Sequence, residues 1–223
     1  MDRPRDDYFN QDAQAVALGN TLFSRHHPED DADELIPVQD EDSRYQLSRA
    51  LVGSMVRSET YADADMDAPG IATPYAVEEV RYQVREVREQ GPYATAVLLP
   101  LVVERISYQY DGFVDDPMCR NDVVLRYNTY GQPTHAITVS YARRLTEKDA
   151  PPFDDPDVQQ WWFDAHDPAQ QSFYLNESRS AFIDPQGPGS IGVSVCPISS
   201  VALLASAAKG TLPTGLEAAQ SVL

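Results

Sequence analysis

The sequence is short of cysteine and of basic residues, and both shortages exclude classes of protein. Two cysteines in 223 residues, Cys119 and Cys196, are too few for a disulfide framework and too far apart for the close pairs of a zinc site. We interpret both as isolated thiols. Because 17 Lys and Arg stand against 35 Asp and Glu, the net charge is −18, and nucleic acid is disfavoured as a partner.

Long apolar stretches are missing as well. The first ten residues, MDRPRDDYFN, lack the hydrophobic region of a secretory signal peptide, so none is expected. The longest run of small apolar residues, 191–208, is interrupted by Cys196-Pro197 and by serines, and it is too short and polar to span a bilayer. We expect no direct contact with a membrane.

The motifs of phosphate-binding loops, zinc hydrolases and serine hydrolases are not present. The sequence contains no P-loop, no HExxH and no GxSxG. His26-His27 precedes an acidic run, but adjacent histidines point in different directions and no third ligand follows at a suitable spacing. We therefore assign no catalytic, cofactor-binding or metal-binding residue, and expect no cofactor.

One cluster nevertheless has the composition of a catalytic site. Asp164, His166 and Asp167 follow Trp161-Trp162, and a carboxylate beside an imidazole suits general-base catalysis. No motif supplies the nucleophile that such a base would activate. The simpler interpretation is a helix end with a charged face and a tryptophan anchored in the core. A hydrolase using Asp164 and His166, or Glu177, stays open as an alternative.

What the sequence does contain is strand pattern, most clearly at 123–144 (VVLRYNTYGQPTHAITVSYARR). Apolar residues alternate with polar ones on both sides of Tyr130-Gly131-Gln132-Pro133, where Gly131 can take a positive φ. This alternation predicts an antiparallel hairpin with one buried face. It carries no reactive group, which favours a wall or scaffold over an active site.

The remaining elements are predicted from the same patterns. Helices are expected at 43–51, capped by Asp42 or Ser43 and ended by Gly53, and at 157–166 after Pro156. Turns are expected at Asp111-Gly112 and in the loop 63–74. Extended segments are predicted over 54–61, 77–88, 94–110 (two strands, or one with a bulge, because of Pro100) and 172–183. The fold class is therefore mainly β, with one or two short helices.

Two sets of side chains are interpreted as structural. The Arg and Glu residues of 77–88 are most simply a solvated face with weak ion pairs between strands. Tyrosines on strands usually pack in the core, although exposed ones could stack on a ligand. A small β-rich module that binds carbohydrate or protein is thus a second alternative, and it would use Tyr108, Tyr110, Tyr127, Tyr130 and Tyr141.

Composition divides the chain into four regions. Residues 1–42 form an acidic, loop-rich N-terminal segment, and residues 43–146 form the β-rich module. Residues 147–186 contain a linker, the short second helix and a strand. Residues 187–223, rich in Gly, Ser and Ala, are expected to be irregular.

Several segments carry a family resemblance. The sequence Tyr127-Asn128-Thr129-Tyr130-Gly131-Gln132 is similar to a degenerate YD repeat of the Rhs type. The segments RALVGSMVRSETY, VRYQVREV, LPLVVERISYQYDGFVDDPMC, TYGQPTHAITVSYARR, DVQQWWFDAHDPAQQ, SFYLNESRSAFI and KGTLPTGL together span most of residues 8–223. In this order they resemble the middle/C-terminal module of the B component of bacterial insecticidal toxin complexes, the TcdB-type proteins similar to Salmonella plasmid virulence protein B.

This resemblance implies a function without catalysis. In that family the B component and the Rhs-type C component form a hollow β-sheet shell, which encloses the cytotoxic part of the C component and passes it to the pore-forming A component. The segments quoted correspond to shell wall and not to the propeller or protease of the complex. The resemblance therefore implies antiparallel hairpins of an Rhs-type shell, C and A components as partners, and release into the extracellular region after cytoplasmic synthesis.

Two departures from the family suggest an altered gene. B components are several times longer, so the chain is expected to be a fragment. In addition, residues 187–207 resemble the family less than their flanks do, and the run 195–203 is what a family-like stretch gives when it is read out of frame. We hypothesise a local frameshift, which resequencing of the locus would test.

Overall fold

The computed structural model describes residues 8–38, 40–62, 73–89, 91–92, 95–183 and 195–208, with side chains described as far as residue 182. Its described part is mainly β with two short helices, which confirms the predicted fold class. The helices are α1 (Glu41–Ser48) and α2 (Pro156–Asp164), and short 3₁₀ helices cover Arg49–Leu51 and Pro168–Gln171. The strands are β1 (Leu22–His27), β2 (Ala32–Leu35), β3 (Arg57–Thr60), β4 (Ala76–Arg88), β5 (Val97–Gln109), β6 (Met118–Tyr127), β7 (Pro133–Ser140), β8 (Ser172–Ile183) and β9 (Val195–Ala208).

All of these strands belong to one sheet. Its order is β2-β1-β4-β5-β6-β7-β8-β9, and β3 pairs with β4 beside β1. Every pairing is antiparallel except that of β1 with β4, which is parallel. The sheet curls into a half-barrel. As one sign of the curl, Leu22 of β1 packs against a core cluster on β5 to β8.

The hairpin of β6 and β7 is confirmed. Gly131 has φ +76, and the Asn128 side chain closes the turn by accepting hydrogen bonds from the backbone N–H groups of Tyr130 (3.0 Å) and Gln132 (2.9 Å). Pro133 lies at the start of β7 and not in the turn, a position where its missing N–H is tolerated.

The alternating face of the hairpin is buried as predicted. Val123 and Ile137 face each other across β6 and β7, and each is 1% exposed. They belong to a cluster that also contains Val103, Val139, Phe173 and Leu175. Leu125, Tyr127 and Tyr141 pack at its margin.

Helix α1 begins two residues earlier than predicted. Its N-cap is Asp40, whose carboxylate accepts a hydrogen bond from the Ser43 backbone N–H at 2.7 Å. The prediction of Asp42 or Ser43 as the cap is therefore wrong, because the acidic run offers three candidate caps and the earliest one is used. Gly53, with φ +83, follows the helical segment as expected.

The segment around Pro100 forms one strand. Pro100 lies opposite Val84 in the part of β5 that pairs with β4 alone, since pairing of β5 with β6 begins at Glu104. This is the edge-like position that proline tolerates. The β4–β5 register shifts at Arg81/Tyr82, so the alternative of one strand with an irregularity is confirmed. Asp111 and Gly112 both have positive φ and form the predicted turn.

Helix α2 lies on the surface. Pro156 occupies its first turn as predicted, and Asp155 caps it. However, none of its residues is buried, and Trp161 is 70% exposed. The predicted tryptophan anchor in the core is therefore wrong. Trp162 instead packs on the ring of His166, at 4.1 Å between ring centroids.

The C-terminal region contains a further strand. Residues 187–223 were expected to be irregular, but Val195–Ala208 form β9, which pairs with β8. The frameshift hypothesis concerns residues 187–207, which lie outside the part of the chain whose side chains are described, and it stays a hypothesis, as do the four region boundaries. Within the described residues, no helix is both long and apolar enough to cross a membrane.

Candidate functional site

The candidate site is the inner face of the curled sheet, which is the side on which Leu22 meets the core cluster. Strand register decides which residues share this side. One half of it, on β5 to β8, is apolar. The other half, on β1, β2, β4 and β5, is polar. We call the latter the polar half; its members are Ser24, His26, Asp33, Arg81, Gln83, Arg85 and Glu104.

Two charged residues of β4, Arg81 and Arg85, are buried rather than solvated. Arg85 is 1% exposed, Arg81 5%, and Glu104 of β5 1%. The prediction of a solvated face is therefore wrong for Arg81 and Arg85. Curling of the sheet and the chain that precedes β1 cover them. Because a buried charge without partners is very costly, each must be satisfied inside the protein.

Arg81 and Glu104 satisfy each other across β4 and β5. The Arg81 Nη1 and Glu104 Oε2 atoms are 3.5 Å apart, and Arg81 Nε donates to the Asn20 carbonyl at 2.8 Å. The other Glu104 oxygen accepts a hydrogen bond from Asn121 at 3.0 Å. The Arg81 guanidinium lies so close to Gly19 that a Cβ at this position would be 2.6 Å from Arg81 Cζ, and a larger residue would therefore force the guanidinium to shift.

Arg85 is the centre of the polar half. Its Nη2 and Nε atoms donate to Asp33 Oδ2 at 2.6 and 3.1 Å, and Gln83 donates to the same oxygen at 3.0 Å. The Arg85 Nη1 atom donates to the Asn128 carbonyl at 2.6 Å. One guanidinium thus joins the exposed edge strand β2 to the turn between β6 and β7, across the inside of the curl.

His26 makes a second connection between the same two places. Its side chain is buried, with Nδ1 3.0 Å from Asp33 Oδ1 and Nε2 3.3 Å from Thr129 Oγ1. His27 points to the other side of β1 and contacts Glu34 on the surface, so the two histidines diverge as expected. Among the described residues, no group of three or more His, Cys, Asp or Glu side chains is arranged to hold a metal ion.

The chain before β1 crosses the inner face as a strap, residues 8–20. Its Val16 N–H donates to the Tyr108 hydroxyl at 2.8 Å, and its Asp12 accepts hydrogen bonds from Tyr110 (2.7 Å) and Arg144 (2.8 Å). Burial acts to raise the pKa of the Asp12 carboxyl, but the hydrogen bonds from Arg144 and Tyr110 outweigh it and hold this pKa below its usual range.

The predicted tyrosines are mostly core residues. Tyr108 and Tyr110 are 4% and 3% exposed and stack at 5.7 Å, while Tyr127 and Tyr141 pack at the margin of the apolar cluster. Of the five, Tyr130 alone is largely exposed, at 61%. The interpretation as core packing is confirmed for four of them, and they cannot stack on a ligand where they lie.

Cys119 lies beside the same tyrosines, packed against the cluster that contains Tyr108 and Phe9. Its thiol is free, and burial raises its pKa to about 12. Such a thiol is neither a nucleophile nor a metal ligand at neutral pH. The side chain of Cys196 lies outside the described part.

The residues of the catalytic alternative have separate structural partners. Asp164 accepts a hydrogen bond from Gln160 at 2.8 Å, and Asp167 caps the following 3₁₀ helix. His166 Nδ1 lies 2.7 Å from the Trp162 carbonyl, so that nitrogen carries a proton and donates. Glu177 on β8 contacts His135 at 2.7 Å and Arg179 at 2.8 Å. No hydrogen bond joins Asp164 to His166 among these contacts.

A cavity of about 460 Å³ opens beside the polar half. Its lining is partly acidic, from Asp31 and Asp33, and partly apolar, from Leu22, Leu35, Val103 and Leu125. Sequence reasoning did not identify this region or the Arg85–Asp33–His26 cluster beside it. One sequence feature could have indicated this cluster: Arg81, Gln83 and Arg85 lie on one face in the middle of a long strand. A strand in the middle of a sheet is covered by its neighbours, so polar side chains there need partners inside the protein.

Comparison with known proteins gives the family. A family model described as "Insecticide toxin TcdB middle/C-terminal region" matches residues 46–192, more than half of the chain. The comparison with curated proteins found no match.

Solved structures agree with the family model. A structure of TcdB2–TccC3 has 26% sequence identity and a TM-score of 0.75, and covers 96% of this chain and 10% of that one. A structure of TcdB2–TccC3–Cdc42 has the same identity and TM-score, with coverages of 94% and 10%. The structure of the Photorhabdus luminescens Tc holotoxin pore (mutation TccC3-D651A) has 27% sequence identity and a TM-score of 0.73, and covers 93% of this chain and 9% of that one. The chain thus spans about a tenth of the length of the solved chains it matches, and it belongs to the family of the insecticide toxin TcdB middle/C-terminal region.

Proposed function

We propose that this chain is a wall segment of a toxin-complex B component, and that it contributes to a shell around the cytotoxic part of a C component without catalysing a reaction. The observation that carries the proposal is the curled, single sheet of a TcdB-type module whose inner face is fixed by buried contacts. Its partners are an Rhs-type C component and a pore-forming A component. The complex acts outside the cell that makes it.

The physical requirements of a wall support this proposal. A wall must hold its curvature, because a flat sheet cannot enclose a volume. Here curvature is held at two places by different means: Val123 and its apolar neighbours pack beneath β5 to β8, while Arg85 bridges β2 and the β6–β7 turn.

The hydrolase alternative has less support. The Nδ1 proton of His166 is donated to a backbone carbonyl, and Asp164 is engaged by Gln160. A general base needs a free nitrogen in reach of a nucleophile and a carboxylate that orients the ring. No observation favours the carbohydrate-binding alternative, since four of its five tyrosines are in or against the core.

Protease protection tests the proposal. The B component that carries this segment is co-expressed with its C component, and the complex is digested with a broad-specificity protease. We expect the C-terminal part of the C component to be protected in the wild-type complex and to be digested when Arg85→Met loosens the wall. Arg88→Met, an exposed change on the same strand, is the matched control and should leave the protection intact.

The variant His166→Ala distinguishes the wall function from the hydrolase alternative. If the segment acts by shape, this variant assembles, protects the C component and keeps full toxicity. Normal assembly with lost toxicity would instead support chemistry at His166. A complex in which the C component is equally digested with and without this segment would reject the wall.

A further inference from the structure

Hydrogen-bond donors and acceptors around His26 fix its protonation state. Asp33 Oδ1, 3.0 Å from Nδ1, belongs to a carboxylate and can only accept, so Nδ1 donates. Thr129 Oγ1, 3.3 Å from Nε2, has a single proton, and that proton is donated to Asp31 Oδ1 at 2.8 Å. Thr129 Oγ1 therefore accepts from His26, and Nε2 must also carry a proton.

From this arrangement we propose that His26 is a doubly protonated imidazolium that latches the β1–β2 loop to the β6–β7 turn, and that the latch is switched by pH. The charged ring joins strand β1 to Asp33 on β2 and to Thr129 in the turn. Through Thr129 it also keeps Asp31 of the β1–β2 loop in place. The inference goes beyond the proposed wall function and does not depend on it.

Charged groups of both signs surround the His26 ring. Two carboxylates, Asp33 on β2 and Asp31 in the loop, lie on its side. The guanidinium of Arg85 on β4 binds the same Asp33 and opposes a second positive charge nearby, and Arg126 of β6 lies 3.8 Å from Asp31. The ring thus has an acceptor at each nitrogen and lies among two anions and two cations.

Loss of one proton changes the direction of a hydrogen bond. The proton leaves from Nε2, because Nδ1 faces a carboxylate. The Nε2 lone pair then requires a donor, and the Thr129 hydroxyl can serve only by turning away from Asp31. Asp31 has φ +48, a left-handed conformation that is uncommon for a residue other than glycine, although Asp tolerates it better than most. Loss of the Nε2 proton therefore removes a hydrogen bond that holds the loop at Asp31 in this conformation.

Release is partial, because part of the connection does not titrate. Arg85 keeps its hydrogen bond to the Asn128 carbonyl at every accessible pH. The switch therefore loosens the mouth of the cavity beside Asp31 and Asp33 without uncurling the sheet.

Hydrogen exchange of the full chain, read by mass spectrometry at pH 5.5 to 8.5 and corrected for intrinsic exchange rates, tests the switch. His26→Gln is the neutral mimic, because its amide offers one donor and one acceptor. His27→Gln, at the exposed neighbour, is the matched control. At pH 5.5 we expect residues 28–33 and 128–132 to be about tenfold more protected in the wild type than in His26→Gln, the size of one charged hydrogen bond. At pH 8.5 the two should be alike.

Two further results decide the proposal. Asp31→Gly removes the acceptor that competes for the Thr129 proton and tolerates the positive φ of this position, so it should abolish the pH dependence of the turn. In addition, ¹⁵N-histidine spectra at pH 6 should show protons on both His26 nitrogens. A neutral Nδ1–H ring at pH 6 would overturn the proposal. So would a wild-type to His26→Gln difference that is the same at pH 5.5 and 8.5, or an equal effect of His27→Gln.

Discussion

The two halves of the inner face fold by different physics. On β5 to β8, the inner face is buried by apolar packing, with Val123, Ile137 and Leu175 each about 1% exposed. On β4, positions equally buried hold Arg81 and Arg85. The apolar half tolerates approximate packing, because any side chain of similar volume excludes water. The polar half does not, because each charge needs its particular partner.

Breaking the polar half should have the largest effect. Arg85→Met removes a buried guanidinium and its hydrogen bonds to the partly exposed Asp33 carboxylate and to the Asn128 carbonyl. Loss of one member of a buried pair costs about 3–5 kcal/mol, and about 4 is expected here. Urea unfolding followed by circular dichroism measures the loss. Arg88→Met on the exposed end of β4 should change stability by less than about 0.5 kcal/mol. Equal effects of the two changes would mean that Arg85 is solvated.

The apolar half should give a slightly smaller loss. Leu175→Ala opens a cavity beneath β8, and such truncations cost about 2–5 kcal/mol, with about 3 expected here. Leu35→Ala, at a side chain that is 61% exposed on β2, is the control and should be nearly neutral. A loss below about 1 kcal/mol at Leu175 would contradict the core described on β5 to β8.

Asp12 makes the polar contacts of the strap sensitive to acid. Its pKa is lower in the folded chain than in the unfolded one, so its contribution to stability is present above the unfolded pKa and is lost as pH falls through the folded one. Asp12→Asn should cost about 2 kcal/mol at pH 7, and less as the pH approaches 3. Unfolding midpoints at pH 3 to 7 measure this, and a difference independent of pH would contradict it.

The smallest effect is expected outside both halves. Trp161 on α2 is 70% exposed, so Trp161→Ala should change stability by less than about 0.5 kcal/mol. Thermal unfolding compares this variant with Phe173→Ala, which truncates a buried residue of the apolar cluster and should lose far more stability. A loss of several kcal/mol at Trp161 would restore the core anchor that the sequence predicted.

The same division explains what could be predicted. The alternation of Val123, Ile137 and Val139 is sufficient to place the apolar half, and Gly131 marks its turn. Arg85 could not be placed, because a charge on a strand has the pattern of a solvated face until its partner is known. That partner, Asp33, is 52 residues away in a four-residue edge strand. The parallel pairing of β1 with β4 could not be predicted either, because the two strands are far apart in sequence and no turn motif joins them.

The exposed α2 shows a related limit of sequence patterns. Pro156 predicts where the helix begins, because the preference of proline for the first helical turn is local. The pair Trp161-Trp162 would be buried only if the helix packed on the sheet. The path of the linker before the helix decides whether it does, and the sequence of the helix does not show that path. Asp164 and His166 have separate partners, Gln160 and the Trp162 carbonyl, which no sequence motif indicates. The His26 cluster has no sequence motif either.

Electron cryomicroscopy of the assembled complex tests the central claim most directly. If the chain is a wall segment, residues 22–208 appear as part of a continuous curved sheet, with the inner face towards an enclosed volume and neighbouring strands paired at the β2 and β9 edges. A segment that projects from the particle as a separate module, with both edges unpaired and its inner face towards solvent, would contradict the account.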